Sequence, residues 1–101
     1  MRVGICAVLK FQSEEDMETE LPNFAKGRDY YFPKAEFVAD INTGPTSSLT
    51  LIIYASEEEA DAESNARRKY IDSVRQHVRD VFSYEGSLKY LFNRLPIGDH
   101  L

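Results

Sequence analysis

Two runs of carboxylates are the densest groupings of reactive side chains in this sequence: Glu14, Glu15, Asp16, Glu18 and Glu20, then Glu57, Glu58, Glu59, Asp61 and Glu63. Carboxylates so placed could hold a divalent cation, work in pairs as acid and base, or present an electronegative surface. The first run lacks the alternating acids and turn glycine that curl oxygens around calcium. Both runs stand where helices would begin. Ser13 precedes Asp16 by three residues and Ser56 precedes Glu59 by three, the spacing of N-terminal caps, and acids in a first turn complement the helix dipole. Proton transfer by two carboxylates leaves no mark in a sequence, because any two of 17 acids can meet in space.

Other reactive residues are isolated. Cys6, His77 and His100 have no ligand-spaced neighbours, whereas zinc needs several His or Cys at short spacing. Glycines at 4, 27, 44, 86 and 98 are too scattered to cradle a phosphate. Cys6 reads as a small buried hydrophobe on a strand, and its being the lone cysteine fits a reducing compartment. His77 reads as a boundary residue packing its ring beside an apolar stripe. No catalytic residue, metal ligand or cofactor is assigned.

The charge is uneven. The chain carries net −5, but residues 1–63 hold 5 Lys/Arg against 13 Asp/Glu while residues 64–101 hold 7 against 4. Arg68, Arg75 and Arg79 fall at i, i+7 and i+11, one face of a helix, with Arg67 and Lys69 beside them. Tyr30 and Tyr31 could add stacking surfaces, and cations interleaved with aromatics suit single-stranded nucleic acid. Against this, Glu63 and Arg67, and Arg68 and Asp72, have the i,i+4 spacing of surface ion pairs.

The elements that must position these groups follow from periodicity. Residues 3–11 alternate, Val3, Ile5, Ala7, Leu9 and Phe11 on one side, which predicts a half-buried strand. Residues 12–21 read as a short helix or an acidic loop, with Pro22 ending it or opening a second helix. Residues 29–32 read as a strand. Ala35, Phe37, Ala39 and Ile41 inward, a turn at 42–46, and Leu49, Leu51 and Ile53 inward predict an antiparallel hairpin. Tyr70, Ile71, Val74, Val78, Val81 and Phe82 trace a stripe that predicts one long helix from Ser56, or from Ser64, to the left-handed stop at Gly86. Ser87 would cap a last short helix carrying Leu88, Leu91, Phe92 and Leu95, a face available for self-association. The expected fold is a single α+β domain over 1–101: a three- to four-stranded antiparallel or mixed sheet with one long and one or two short helices on one face.

No apolar run reaches the roughly 18–20 residues of a membrane span, so a cytoplasmic protein with no membrane partner is expected. Acidity, small size and the lack of a catalytic signature predict a non-catalytic regulator or inhibitor that docks the two acidic runs on a basic protein, with a homodimer also open. The composition is similar to that of small inhibitors encoded by viruses and mobile elements. One alternative is a nucleic-acid accessory domain using Arg68, Arg75 and Arg79. A second is a small enzyme with a concealed carboxylate site.

Overall fold

The computed structural model describes residues 1–92 and 94. The alternating segment is strand β1, Val3–Phe11, as its period predicts. Ser13 then caps the next element: its Oγ accepts the Asp16 backbone N–H at 3.1 Å and donates to Asp16 Oδ2 at 2.9 Å. Helix α1 runs from there over Glu14–Tyr31, through Pro22. Pro22 removes one backbone hydrogen bond without ending the helix, because Met17 and Phe24 on either side of it are both held in the core. The segment 29–32, expected as a strand, is the end of this helix and the residue after it.

Strands β2, Phe37–Gly44, and β3, Ser47–Tyr54, form the expected hairpin. Ser56 Oγ accepts the Glu59 N–H at 3.2 Å and caps helix α2, Glu57–Ala62. Helix α3, Ser64–Val74, follows after Glu63. Both expected helix starts are therefore used, but the single long helix is not formed. The chain turns at 75–77, and Val78–Ser87 is strand β4. Tyr70, Val74 and Val78 at i, i+4 and i+8 imitate a helical stripe, and short apolar runs do not distinguish the two periods. Pairing decides: β4 forms an antiparallel ladder along the free side of β1.

The sheet order is β2-β3-β1-β4 with every neighbouring pair antiparallel. Gly86, expected as a helix stop, lies within β4 opposite Gly4. Ser87 ends β4 instead of capping a helix, and residues 88–92 are not helical, so Leu88, Leu91 and Phe92 form no helix face. Leu95 lies outside the described residues. The architecture is thus the expected small α+β fold, a four-stranded antiparallel sheet with helices on one face. No helix among the described residues is long and apolar enough to cross a membrane.

The two sheet faces differ from expectation on the hairpin. Val3, Ile5, Leu9 and Phe11 of β1 join Ile52 and Tyr54 of β3 and the partly buried Val38 of β2 in the core, with Met17, Phe24, Tyr70 and Val74 of the helices. Direct cross-strand partners share a face, and the partners here are Ile5 with Ile52 and Val38 with Ile52. The core side of the hairpin therefore carries even-numbered residues. Phe37, Ala39, Ile41, Leu49, Leu51 and Ile53 lie with Cys6, Val8, Phe82 and Tyr84 on the face away from the helices. Both hairpin faces are apolar, so alternation alone cannot choose the register. Ile41, Phe82 and Tyr84 are 51%, 45% and 66% exposed there.

This assignment predicts a contrast. Ile52→Ala, in the core, should cost ~2–5 kcal/mol in urea denaturation, whereas Ile41→Ala at low protein concentration should stay within about 0.5 kcal/mol of the parent. A larger loss for Ile41→Ala would mean the faces are reversed, and equal losses would mean that both positions are buried.

Candidate functional site

The turn that ends α3 and opens β4 carries His77. Its backbone N–H donates to the Val74 carbonyl at 2.8 Å, and its own carbonyl accepts the Gln12 N–H at 2.9 Å. The Gln12 side-chain amide also donates to the Gln76 carbonyl at 3.2 Å. The end of β1 and the start of β4 are thereby stitched together, and His77 Nδ1 reaches Asp16 Oδ1 in the first turn of α1 at 2.8 Å. These two side chains, 61 residues apart in sequence, are 24% and 29% exposed.

Hydrogen bonds from His77 and then Ser13 hold the Asp16 carboxyl below its ordinary value of 3.8, against a smaller opposing effect of burial. An ionised carboxylate can only accept, so Nδ1 carries the hydrogen and Asp16 sets the tautomer. In neutral His77, Nε2 is then the basic nitrogen, with the Gln76 amide nitrogen 3.3 Å away.

His77 and Gln76 line a recess of about 260 Å³ with Glu20, Asn23, Tyr31, Tyr70 and Ser73. Glu20 is one turn beyond Asp16 on α1 and only 6% exposed. Desolvation pushes its carboxyl above the ordinary 4.5, opposed by the nearby His77 charge and a hydrogen bond with Asn23. Tyr70 is buried in the core, and burial first, then the charges of Glu20, Asp40 and Tyr31, push its phenol far above its ordinary value. It remains a neutral hydrogen-bond donor. Asp40 of β2 is also raised by desolvation, with Thr50 as its hydrogen-bonding partner at 3.3 Å.

The aromatic side of the recess is built from edge-to-face pairs. Tyr31 and Tyr70 have ring centroids 5.3 Å apart, and Phe24 and Tyr70 5.5 Å. Gly27 makes room for this wall, since a Cβ there would lie 2.9 Å from the Tyr31 ring. A basic imidazole with its orienting carboxylate, a desolvated carboxyl, a neutral phenol and a flat apolar wall can bind a small planar molecule and move a proton on it.

The expected acidic surface is divided. Asp16 turns to His77 and Ser13, and Glu20 lines the recess. Glu63 is 5% exposed and its Oε2 accepts the Lys34 N–H at 2.8 Å, while Glu59 Oε2 lies 3.6 Å from the Lys34 ammonium. Glu14, Glu15, Glu18, Glu57, Glu58 and Asp61 face solvent. Arg68, Arg75 and Arg79 do converge on one groove, but from α3, the turn and β4 instead of one helix face. Arg67 leaves them, donating to the Ala60 carbonyl at 2.7 Å with its guanidinium 5.3 Å from the Tyr54 ring centre. Lys69 is exposed. Tyr31 lines the His77 recess and Tyr30 is 72% exposed, so the aromatics and the three arginines do not share a surface. Leu91 and Phe92 are exposed, and Leu88 is half-buried. Cys6, expected to be buried, is half-buried on the sheet face away from the helices. Sequence reasoning did not find the His77–Asp16 pair; the one signal was a histidine beside the apolar stripe.

No family model matches the chain, and no curated protein matches it in sequence. Solved structures do match in fold. A dimeric ferredoxin-like protein from an uncultured marine organism superposes with a TM-score of 0.74 at 14% identity, covering 93% of each chain. A candidate antibiotic biosynthesis monooxygenase from Nitrosomonas europaea gives 0.73 at 9% identity, covering 88% of this chain and 91% of that one. Another, from Chloroflexus aurantiacus, gives 0.68 at 12% identity, covering 99% and 97%. The fold is therefore ferredoxin-like, and at these identities the likeness carries the fold alone. The recurrence of structures described as monooxygenases corrects the expectation of a non-catalytic inhibitor or regulator of viral type. These matches agree better with the concealed-carboxylate enzyme that was the second alternative.

The two carboxyl shifts have opposite signs. Asp16 is lowered, so its pair with His77 stabilises the fold above 3.8 and that contribution is lost as pH falls through the depressed value. Glu20 is raised, so its ionised form weighs against the fold above the raised value and the penalty disappears below 4.5. Asp16→Asn should therefore lower the urea midpoint at pH 7 and approach the parent in strong acid. Glu20→Gln should raise the midpoint at pH 7 and lose its advantage by about pH 4. Matching pH profiles for the two variants would mean that these environments are misassigned.

Proposed function

We propose that this chain is a small oxidative enzyme of the monooxygenase class, acting on a planar phenolic or enolisable substrate in the recess between α1 and α3. The observation that carries this reading is the Asp16–His77 pair opening onto Tyr70 and the desolvated Glu20. His77 Nε2 takes a proton from the substrate, and Asp16 balances the imidazolium that forms. The Tyr70 hydroxyl donates to the developing oxyanion, and the Tyr31 ring supports the flat face of the molecule. The substrate anion then reacts with dioxygen. In the simplest balance a CH₂ group becomes C=O, one oxygen atom is retained, the other leaves as water, and the substrate supplies the electrons. The fold's recurrence among proteins described as antibiotic biosynthesis monooxygenases supports the reading. At about 260 Å³ the recess falls just below the usual range of ligand cavities, roughly 300–1,000 Å³, which favours a substrate of one or two rings.

The test is oxygen uptake with a panel of one- and two-ring phenols and β-dicarbonyl compounds. His77→Ala should reduce turnover about 100-fold or more, with the far-UV circular dichroism unchanged, and Asp16→Asn should reduce it less. No uptake above buffer across the panel, or full activity in His77→Ala, would overturn the assignment.

A second copy is the partner that the open sheet face fits. It is apolar and partly exposed at Ile41, Phe82 and Tyr84, and matching proteins of this fold are described as dimeric. Light scattering should give twice the chain mass, and Phe82→Asp should return it to one. A monomeric parent would remove the dimer from the proposal.

A further inference from the structure

The groove on the other side of α3 is separate from the His77 recess and has the opposite character. It holds about 490 Å³ and is lined by Arg68, Arg75 and Arg79 around Ile71, Val78 and Val81, with Ser83 and Asp80 at its β4 end. Each arginine arrives from a different element. Arg68 projects from α3, and Arg75 follows the helix end. Arg79 is the extra residue of a β-bulge, because Lys10 pairs with Asp80 and Phe11 with Val78. Bulges re-aim a side chain that would otherwise follow the alternation of the strand, and here the re-aimed residue lines the groove.

In a chain of net −5, three guanidinium groups on one apolar floor are a concentrated positive site. Their existing partners are weak competitors. Arg75 reaches Asp72 at 3.3 Å and Arg79 reaches Asp80 at 3.5 Å, with all four side chains more than half exposed, and exposed pairs of this kind contribute little. Arg68 has no carboxylate partner among the described residues. Guanidinium groups match carboxylate and phosphate oxygens in a planar fork. Val78 is buried and Ile71 and Val81 are half-buried, so the floor offers apolar surface to the rest of such a molecule. Among the described residues no aromatic side chain lines the groove, so the bases of a nucleic acid find no aromatic platform among them.

We propose that this groove binds a small organic anion, with its carboxylate or phosphate head held by Arg68 and Arg79 and its apolar body laid against Ile71, Val78 and Val81. The probes are 2-naphthoate, 2-naphthyl phosphate and the neutral 2-naphthalenemethanol, titrated into ¹⁵N-labelled protein and followed by amide shifts. Both anions should move amides of residues 68–83 and bind about ten-fold or more tightly than the alcohol, the size expected of a charge-assisted hydrogen bond. Arg68→Ala with Arg79→Ala should abolish that preference while leaving amides elsewhere in place, and Arg68→Lys should keep part of it. Equal binding of the alcohol, shifts centred on the His77 recess or the open sheet face, or anion affinity unchanged in the double variant would each overturn the proposal. So would a single-stranded oligonucleotide that displaces 2-naphthoate from the same amides and binds more tightly than either probe.

Discussion

Strand β1 is hydrogen-bonded on both sides, and its second ladder, to β4, is the constraint from which the rest of the molecule follows. Closing that ladder requires the chain to leave α3 at Val74 and reverse within three residues. The reversal brings residue 77 back against the start of α1, where Gln12 binds its carbonyl and Asp16 its ring. It also aligns the end of α3 with β4 across the arginine groove. A continuous helix from Ser64 to Phe82 would have carried His77 and Arg79 away from the sheet and left one side of β1 unpaired. Both recesses thus exist because strand pairing prevailed over a helical stripe.

The same side chains serve local structure and the site. Ser13 and Asp16 form a cap that any helix start can use, yet the second oxygen of Asp16 is what orients His77. Glu20 lies one turn along and is drawn into a space lined by Tyr31 and Tyr70. A carboxylate there is tolerated at a cost in solvation, which is the origin of its raised protonation point. Such a cost fits a functional group better than a solubilising one. The contrast with Glu14, Glu15 and Glu18, two to six residues before Glu20 and all exposed, comes from which side of α1 each occupies.

A ferredoxin-like sheet with helices on one side leaves its other side without helix cover. Here that side is apolar on every strand, from Ile41 through Leu51 and Val8 to Phe82. The covered side is no more apolar, since it includes the buried Ser48 and Thr50 and the carboxylate of Asp40. Burial at this sheet is therefore not a simple division of greasy from polar, and a fold shared at 8–14% identity can hold quite different sites.

Sequence alone determined the local features. The alternation of β1, the hairpin around residues 42–46, the caps at Ser13 and Ser56 and the α+β class all arise from periods and spacings within a few residues, and the structure contains each of them. Tertiary structure decided everything that depends on partners distant in the chain. It made 78–87 a strand, placed the hairpin's even residues in the core, and brought Asp16 to His77 across 61 positions. The reason is physical: a helical stripe and a buried strand can share one apolar pattern, and a sheet apolar on both faces has no preferred side. The choice between them is made by hydrogen-bonded neighbours that lie elsewhere in the chain.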